Sequence, residues 1–294
     1  MHSDQIDIDV AKAQGLIDDQ FPQFSGQKVT PLKTTGTVNA IFRIGGLHTA
    51  RFPLQAVERE VIEAEAAAMA EFHAHCPFPS PEPVGIGRPG RGYPLAWSVQ
   101  SWINGHVATP SGVASSADFA LDLARLVAAL RAVGTDGRVY DGRGRGGDLR
   151  DHDAWMDECL ARSKGLLDVA RLRRMWAEFR ELPSAQREMM SHKDLIPGNL
   201  LVKDGRLAGV LDAGGFGPAD AALDLVAGWH LLDRERRRLF RDTLEVAEPE
   251  WRRGAAWAFQ QAMGLVWYYA DSNAVMSTLG RSTLARLVED ADGA

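Results

Sequence analysis

Residues 191–215 read SHKDLIPGNLLVKDGRLAGVLDAGG, and this stretch constrains the chain more than any other. Asp204–Gly205 stands between two apolar, β-prone runs, NLLV and RLAGVLD. Asp-Gly is a strong hairpin signal, because a type I′ turn needs positive φ at both central residues. Folding the chain about that turn returns Asp212 toward the end where Asn199 enters. An amide oxygen and a carboxylate can then converge on one Mg²⁺ ion, which takes few protein oxygens and completes its octahedron with water and substrate phosphates. Asp194 falls on the loop entering the hairpin, placed to accept a hydrogen bond from an incoming hydroxyl. A carboxylate that orients a nucleophile, beside ligands for a phosphate-neutralising metal, is what phosphoryl transfer requires. Polar residues at strand ends are also ordinary turn formers, so their meaning comes from the ordered set.

The rest of the chain predicts an α+β architecture in two lobes. Residues 8–20 suit a short helix, and residues 28–54 carry β-branched runs broken by Gly36 and Gly45–Gly46, as antiparallel strands with turns would. Gln55–Phe72 is rich in Ala, Glu and Met and predicts a helix. Residues 77–103 begin with prolines and end in two apolar stretches that suit further strands. Residues 1–102 are therefore expected to form a small antiparallel β-rich lobe, and residues 103–294 a larger, mostly helical one. The second contains a helix capped by Ser116 or Asp118, a glycine-rich segment at 141–150, helices around 153–190, the hairpin, and helices from about 220 onward.

Composition narrows the partners. A formal charge of −6 and a pI near 5.8 argue against a nucleic-acid surface, which needs clustered Lys and Arg. The two cysteines, Cys76 and Cys159, are too far apart for a CxxC metal site and suggest a reducing compartment. The N-terminal stretch is acidic and amphipathic, and no segment offers the roughly 18 uninterrupted apolar residues of a membrane span. A soluble, cytoplasmic protein is expected, with no pattern that fixes its oligomeric state. His73, His75 and Cys76 look like a helix end more than a metal site.

His192, Asp194, Leu195, Pro197, Gly198 and Asn199, then Asp212 and Gly214, then Gly217, Asp220, Asp224 and Leu225 form an ordered set. It resembles the aminoglycoside phosphotransferase-like branch of the protein-kinase-like fold. The resemblance implies that Asp194 orients or deprotonates the acceptor hydroxyl and that Asn199 and Asp212 hold Mg²⁺. TTGTVNAIFRI, residues 34–44, is similar to the family's strand-turn-strand over the ATP phosphates, which places Gly36, Thr37 and Asn39 there. Arg51 stands where the family has a lysine or, in some branches, an arginine; Glu65 matches the paired helix glutamate, with Glu60 and Glu63 as alternatives. The backbone around Gln100, Ser101 and Trp102 matches the hinge that faces adenine. The resemblance leaves His192 and Lys193 with two roles each: loop scaffold or proton transfer for the first, phosphate contact or solvated charge for the second. Asp220 and Asp224 are expected to cap or anchor the catalytic loop from a helix start. Departures from the pattern include Ala213, Gly215 and Arg51, whose planar guanidinium is no geometric equivalent of an ammonium.

The implied activity is ATP- or GTP-dependent phosphorylation of a hydroxyl on a small molecule, an aminoglycoside- or macrolide-type antibiotic or a related metabolite, in an antibiotic-resistance class. The alternative is a catalytically silent, nucleotide-binding regulator; a metal-dependent hydrolase lacks the His ligands such sites use. A cationic acceptor would draw on Asp148, Asp151, Asp153, Asp157, Glu158, Asp233 or Glu235, and a bulky, less charged alcohol on aromatic residues such as Trp257 and Trp267. The segment DGRGRGGDLR is expected to be a mobile loop near the acceptor.

Overall fold

Alternation along His48–Pro53 (β3) organises the first unit: Ala50 and Phe52 are fully buried on one face, while Arg51 between them turns to the other. The structure, a computed structural model, describes residues 6–32, 38–185 and 187–292. The first unit comprises the described residues of Met1–Ala74, Pro79–Asn104 and Asp212–Gly215. It contains α1 (Val10–Gln20), β1 (Val29–Leu32), β2 (Asn39–Ile44), β3, α2 (Arg59–His75), β4 (Pro83–Gly87) and β5 (Trp97–Ser101). The five strands form one antiparallel sheet in the order β1-β2-β3-β5-β4.

One face of that sheet packs an aromatic core against α1. Phe52 stacks on Trp97 with ring centroids 4.6 Å apart, and Tyr93 meets Phe52 edge-on at 5.3 Å and donates its hydroxyl to Pro53 O. Gly87 is required there, since a Cβ would lie 2.0 Å from the Trp97 indole. Pairing of Arg51 with Ser98, and of Thr49 with Gln100, places Arg51, Ser98 and Gln100 on the opposite face, where α2 covers them with Ile62 and Met69. α2 starts at Arg59, later than its composition suggests; the residues before it make a bend and an irregular link after β3.

The second unit comprises His75–Phe78, Gly105–Leu211 and the described residues of Phe216–Ala294. Its helices are α3 (Pro110–Val113), α4 (Ala117–Arg131), α5 (Asp153–Arg162), α6 (Val169–Phe179), α7 (Val226–Leu231), α8 (Arg234–Thr243), α9 (Glu248–Tyr268) and α10 (Ala274–Asp292). Ser116, not Asp118, caps α4 by accepting from Phe119 N–H. α9 is the central helix: Trp257, Phe259, Ala262 and Met263 are fully buried, and α10 packs antiparallel-fashion along it after a short turn.

β6 (His106–Val107), β8 (Leu200–Lys203) and β9 (Arg206–Val210) make a small sheet in the order β6-β8-β9. The β8–β9 turn is the expected one, with Asp204 at φ +52° and Gly205 at φ +74°. β7 (Glu188–Ser191) is a strand, where a helix running to about 190 was expected. It pairs with β10 (Gly217–Asp220), and this partner, distant in sequence, overrides the helical preference of Glu-Met-Met. Among the described residues no helix is long and apolar enough to cross a membrane.

Candidate active site

β7 delivers the chain into a loop whose backbone is held by buried side chains. Asp224, 3% exposed, accepts from His192 N–H at 2.8 Å and from Lys193 N–H at 3.0 Å. These bonds stabilise Lys193 at φ +70°, a left-handed conformation that an unbranched residue adopts only when its surroundings impose it. His192, 1% exposed, donates from Nε2 to Leu211 O at 2.9 Å, and its Nδ1 faces Asp194 N–H at 3.3 Å. With both ring nitrogens engaged by backbone, His192 acts as a scaffold that ties the loop to the end of β9. Lys193 sends its ammonium over the Tyr140 ring, 5.7 Å from the centroid.

Asp194 follows, half-exposed. Asn199 closes the turn behind it, donating from Nδ2 to Asp194 O at 2.9 Å and to Asp194 Oδ2 at 3.1 Å. Both donations leave the Asn199 side-chain oxygen as its acceptor. Leu211 N–H bonds Asn199 O at 2.8 Å, so the hairpin runs directly from the level of Asn199 into Asp212. Among the described residues no group of three or more His, Cys, Asp and Glu side chains could hold a metal ion. An amide oxygen and a carboxylate are the few hard donors that Mg²⁺ takes when substrate phosphates supply the remainder.

In the first unit, Asn39, Arg51, Glu65 and Gln100 line one cavity, together with Ser98 and Met69. Arg51 Nη1 pairs with Asp212 Oδ1 at 3.0 Å, so its direct partner is the carboxylate; Glu65 acts on it through charge alone. Asp212 takes a left-handed φ of +61° to make this contact. Glu65 is the α2 glutamate that reaches the cavity, whereas Glu63 is held by Arg59 at 2.6 Å. Neighbouring protein atoms displace water from the Glu65 carboxyl and raise it above the ordinary range; Arg51 opposes the rise and Asp212 adds to it. Gly214 lets this segment pass closely, since a Cβ there would lie 3.2 Å from Glu65 Cβ. Gln100 lines the cavity, and its Oε1 is buried without a hydrogen-bond partner.

Ser101 and Trp102 follow Gln100 directly at the end of β5. The Ser101 N–H is taken by Glu82 O and the Trp102 N–H by Leu47 O, while Arg43 stacks on the Trp102 ring at 4.0 Å. Gly36 and Thr37 lie outside the described residues.

Sequence reasoning missed Arg145, which donates from Nη2 to Asp194 Oδ1 at 2.8 Å. It belongs to the glycine-rich segment, whose second half is anchored: Gly146 is buried and its carbonyl accepts from Asp220 N–H at 2.7 Å. Asp220 serves α9 more than the catalytic loop. Its carboxylate receives Arg253 Nη2 at 2.6 Å and Trp257 Nε1 at 2.7 Å, all nearly fully buried. The acids offered for a cationic acceptor are largely engaged. Asp153 pairs with Arg180, Asp157 with Arg173, Glu158 with Arg162 and Glu235 with Arg236. Asp148 and Asp233 cap turns at Arg150 N–H and Arg236 N–H.

The sequence pattern of the phosphotransferase enzyme family (APH) matches residues 34–257. Similar solved structures include the GDP complex of wild-type aminoglycoside 2'-phosphotransferase-IIIa, at 17% identity over 96% of this chain and 100% of that one, with a TM-score of 0.70. The GDP and kanamycin complex of APH(2")-IIia gives 18% identity, 96% and 98% coverage and a TM-score of 0.69. The macrolide 2'-phosphotransferase MphH of Brachybacterium faecium gives 18% identity, 94% and 97% coverage and a TM-score of 0.63. The fold is thus protein-kinase-like, with an antiparallel sheet unit and a helical unit. No curated protein matches the chain.

Proposed function

Because this chain belongs to the phosphotransferase enzyme family, we propose that it transfers the γ-phosphoryl group of ATP or GTP to a hydroxyl of a small molecule in the cytoplasm. The observation that carries this reading is the backbone-locked loop that presents Asp194, with Asn199 bonded to both its carbonyl and its carboxylate. The acceptor oxygen bonds to the γ-phosphorus as the bond to the β,γ-bridging oxygen breaks. The hydroxyl proton passes to Asp194 and the nucleoside diphosphate leaves.

Such transfer depends on positioning and charge neutralisation more than on a strong base. Arg51 and Asn39 are assigned to the phosphates, with Glu65 orienting Arg51 electrostatically. Gly36 and Thr37 are assigned to the phosphate turn, and Gln100, Ser101 and Trp102 to the base. Asn199 and Asp212 would hold Mg²⁺, which neutralises developing phosphate charge when bound. The acceptors named for the solved relatives include aminoglycosides and macrolides, and we carry those classes and related alcohols forward as the panel to test.

A second reading, a nucleotide-binding regulator without transfer, draws on the Arg51–Asp212 pair, which occupies the carboxylate assigned to metal. Release of ADP or GDP with Mg²⁺, measured across aminoglycosides, macrolides, amino alcohols and sugars, separates the two. Acceptor-dependent release is expected. Nucleotide binding without release for any acceptor would favour the regulator.

A further inference from the structure

The cation seated on Asp194 decides what can approach that carboxylate. Arg145 is held from behind as well as by Asp194. With the Gln261 amide turned so that its oxygen faces the guanidinium, Oε1 accepts from Arg145 Nε at 2.9 Å and Nη2 at 3.3 Å, and Nε2 donates to His230 Nε2 at 2.7 Å. His230 passes the chain on, donating from Nδ1 to Thr283 Oγ1 at 2.9 Å. His230 and Thr283 are fully buried and Gln261 is 7% exposed. Burial pushes His230 down to about 4, so the ring is neutral and adds no second charge behind the guanidinium. The backbone next to Arg145 is fixed too. Gly146 adopts φ +119°, and a Cβ there would lie 2.7 Å from Ala219 Cβ. A buried polar chain of this length, with each member satisfied, aims one arginine at one carboxylate.

We propose that Arg145 is a positioning and specificity-determining residue: it fixes Asp194 for the acceptor and selects alcohols whose reacting hydroxyl is flanked by neutral or anionic oxygens, disfavouring those with an ammonium beside it. This rests on the phosphotransferase reading above. A hydroxyl that donates to Asp194 must come within about 2.6–3.2 Å of the carboxylate. That carboxylate is itself 2.8 Å from Arg145 Nη2, so groups on the neighbouring carbons arrive within a few ångströms of a guanidinium. Asp194's own attraction for a cation is already engaged by the guanidinium at 2.8 Å, so an ammonium on a neighbouring carbon meets the like charge of Arg145 without that carboxylate free to offset it. The guanidinium edge beyond Nε and Nη2 instead offers donors to a carboxylate or ring oxygen. Lys193, adjacent to Asp194 in the loop, carries the same sign. The carboxylates of Asp153 and Asp220 are spent on Arg180 and Arg253, which leaves Asp151, just beyond the glycine-rich segment, without an ion pair among the described residues. The favoured acceptors are therefore hydroxy acids, sugar acids and neutral polyols.

The test compares wild type with Arg145→Gln, Arg145→Lys and Gln261→Leu, using matched hexose, hexuronic acid and amino-hexose, matched hydroxy acid and amino alcohol, a macrolide and an aminoglycoside. In wild type, kcat/KM for neutral or anionic members should exceed that of the matched ammonium member by about tenfold or more. Arg145→Gln should collapse that ratio while leaving the nucleotide KM unchanged. Gln261→Leu should lower the ratio of kcat/KM between the neutral or anionic members and the matched ammonium member, a change of preference that loss of packing alone would not produce. Arg145→Lys keeps the charge without the fork, so it should retain the charge preference at reduced kcat; it decides the matter if Arg145→Gln does not fold. Equal or better use of ammonium-bearing alcohols by wild type, or an unchanged ratio in Arg145→Gln, overturns the inference and leaves the phosphotransferase intact. Absence of transfer to every alcohol and to water overturns the phosphotransferase reading, and the inference with it.

Discussion

The loop that carries Asp194 and the sheet face that carries Arg51 are held in different ways. In the loop, the backbone is fixed by buried groups: Asp224 and His192 are 3% and 1% exposed and bind main-chain atoms. On the sheet face, the Arg51–Asp212 pair joins side chains that are 20% and 51% exposed. A pair so placed contributes little to stability, about 0–1 kcal/mol, and under the proposed function is the one that gives way to phosphate and metal. The buried loop cannot rearrange without stranding polar atoms. Under the proposed function, the geometry around Asp194 is built in before any ligand arrives, whereas the Arg51 contacts remain exchangeable.

That contrast can be broken from its strong side first. Asp224→Ala strands the His192 and Lys193 amides, at roughly 1–3 kcal/mol for each buried donor; thermal unfolding should fall by several degrees and turnover with it. An unchanged Tm would mean that the loop is held by something else. Gly146→Ala forces a side chain into a φ of +119° against Ala219, and strain of this kind costs of order 1–3 kcal/mol. Chemical denaturation should register it.

On the weak side, Arg51→Met should change stability by less than about 1 kcal/mol while raising the nucleotide KM several-fold. A large stability loss would show that the exposed pair is structural after all. Glu65→Gln should have the smallest effect, visible in the pH dependence of unfolding. The Glu65 carboxyl is raised in the folded unit, so the stability it contributes is present below the ordinary value of 4.5 and is lost as pH rises through the folded value. The variant should flatten the stability curve over that interval; identical curves would remove burial of Glu65 from the account.

What the sequence disclosed follows the same division. The hairpin, its Asp204–Gly205 turn and the polar residues at its mouth were legible because turn chemistry is local. The β-rich and helical halves followed from strand and helix patterning. The β7–β10 pairing was not legible, since its two strands lie far apart in sequence and Glu-Met-Met favours a helix when read alone. Arg145 was hidden for a similar reason. It reaches Asp194 across 49 residues from a glycine-rich segment that looked mobile, and its anchors, Gln261 and the Asp220 amide, belong to α9 and β10. Asp224 anchors the loop as the resemblance implied, and Asp220 caps the Ala222 N–H with one oxygen while the other holds Arg253 and Trp257. The resemblance placed both acids near the loop but could not say which way each carboxylate faced.

In the proposed function, Asp194 takes part in transfer without contributing to nucleotide binding. Asp194→Asn keeps the size of the side chain and the contacts to Asn199 while removing the carboxylate charge. The direct measurement is single-turnover transfer together with nucleotide affinity, on wild type and this variant, with Mg²⁺ and an accepted alcohol. Transfer should fall by about 100-fold or more in Asp194→Asn at nearly unchanged nucleotide affinity. Near-normal transfer in the variant would contradict that role.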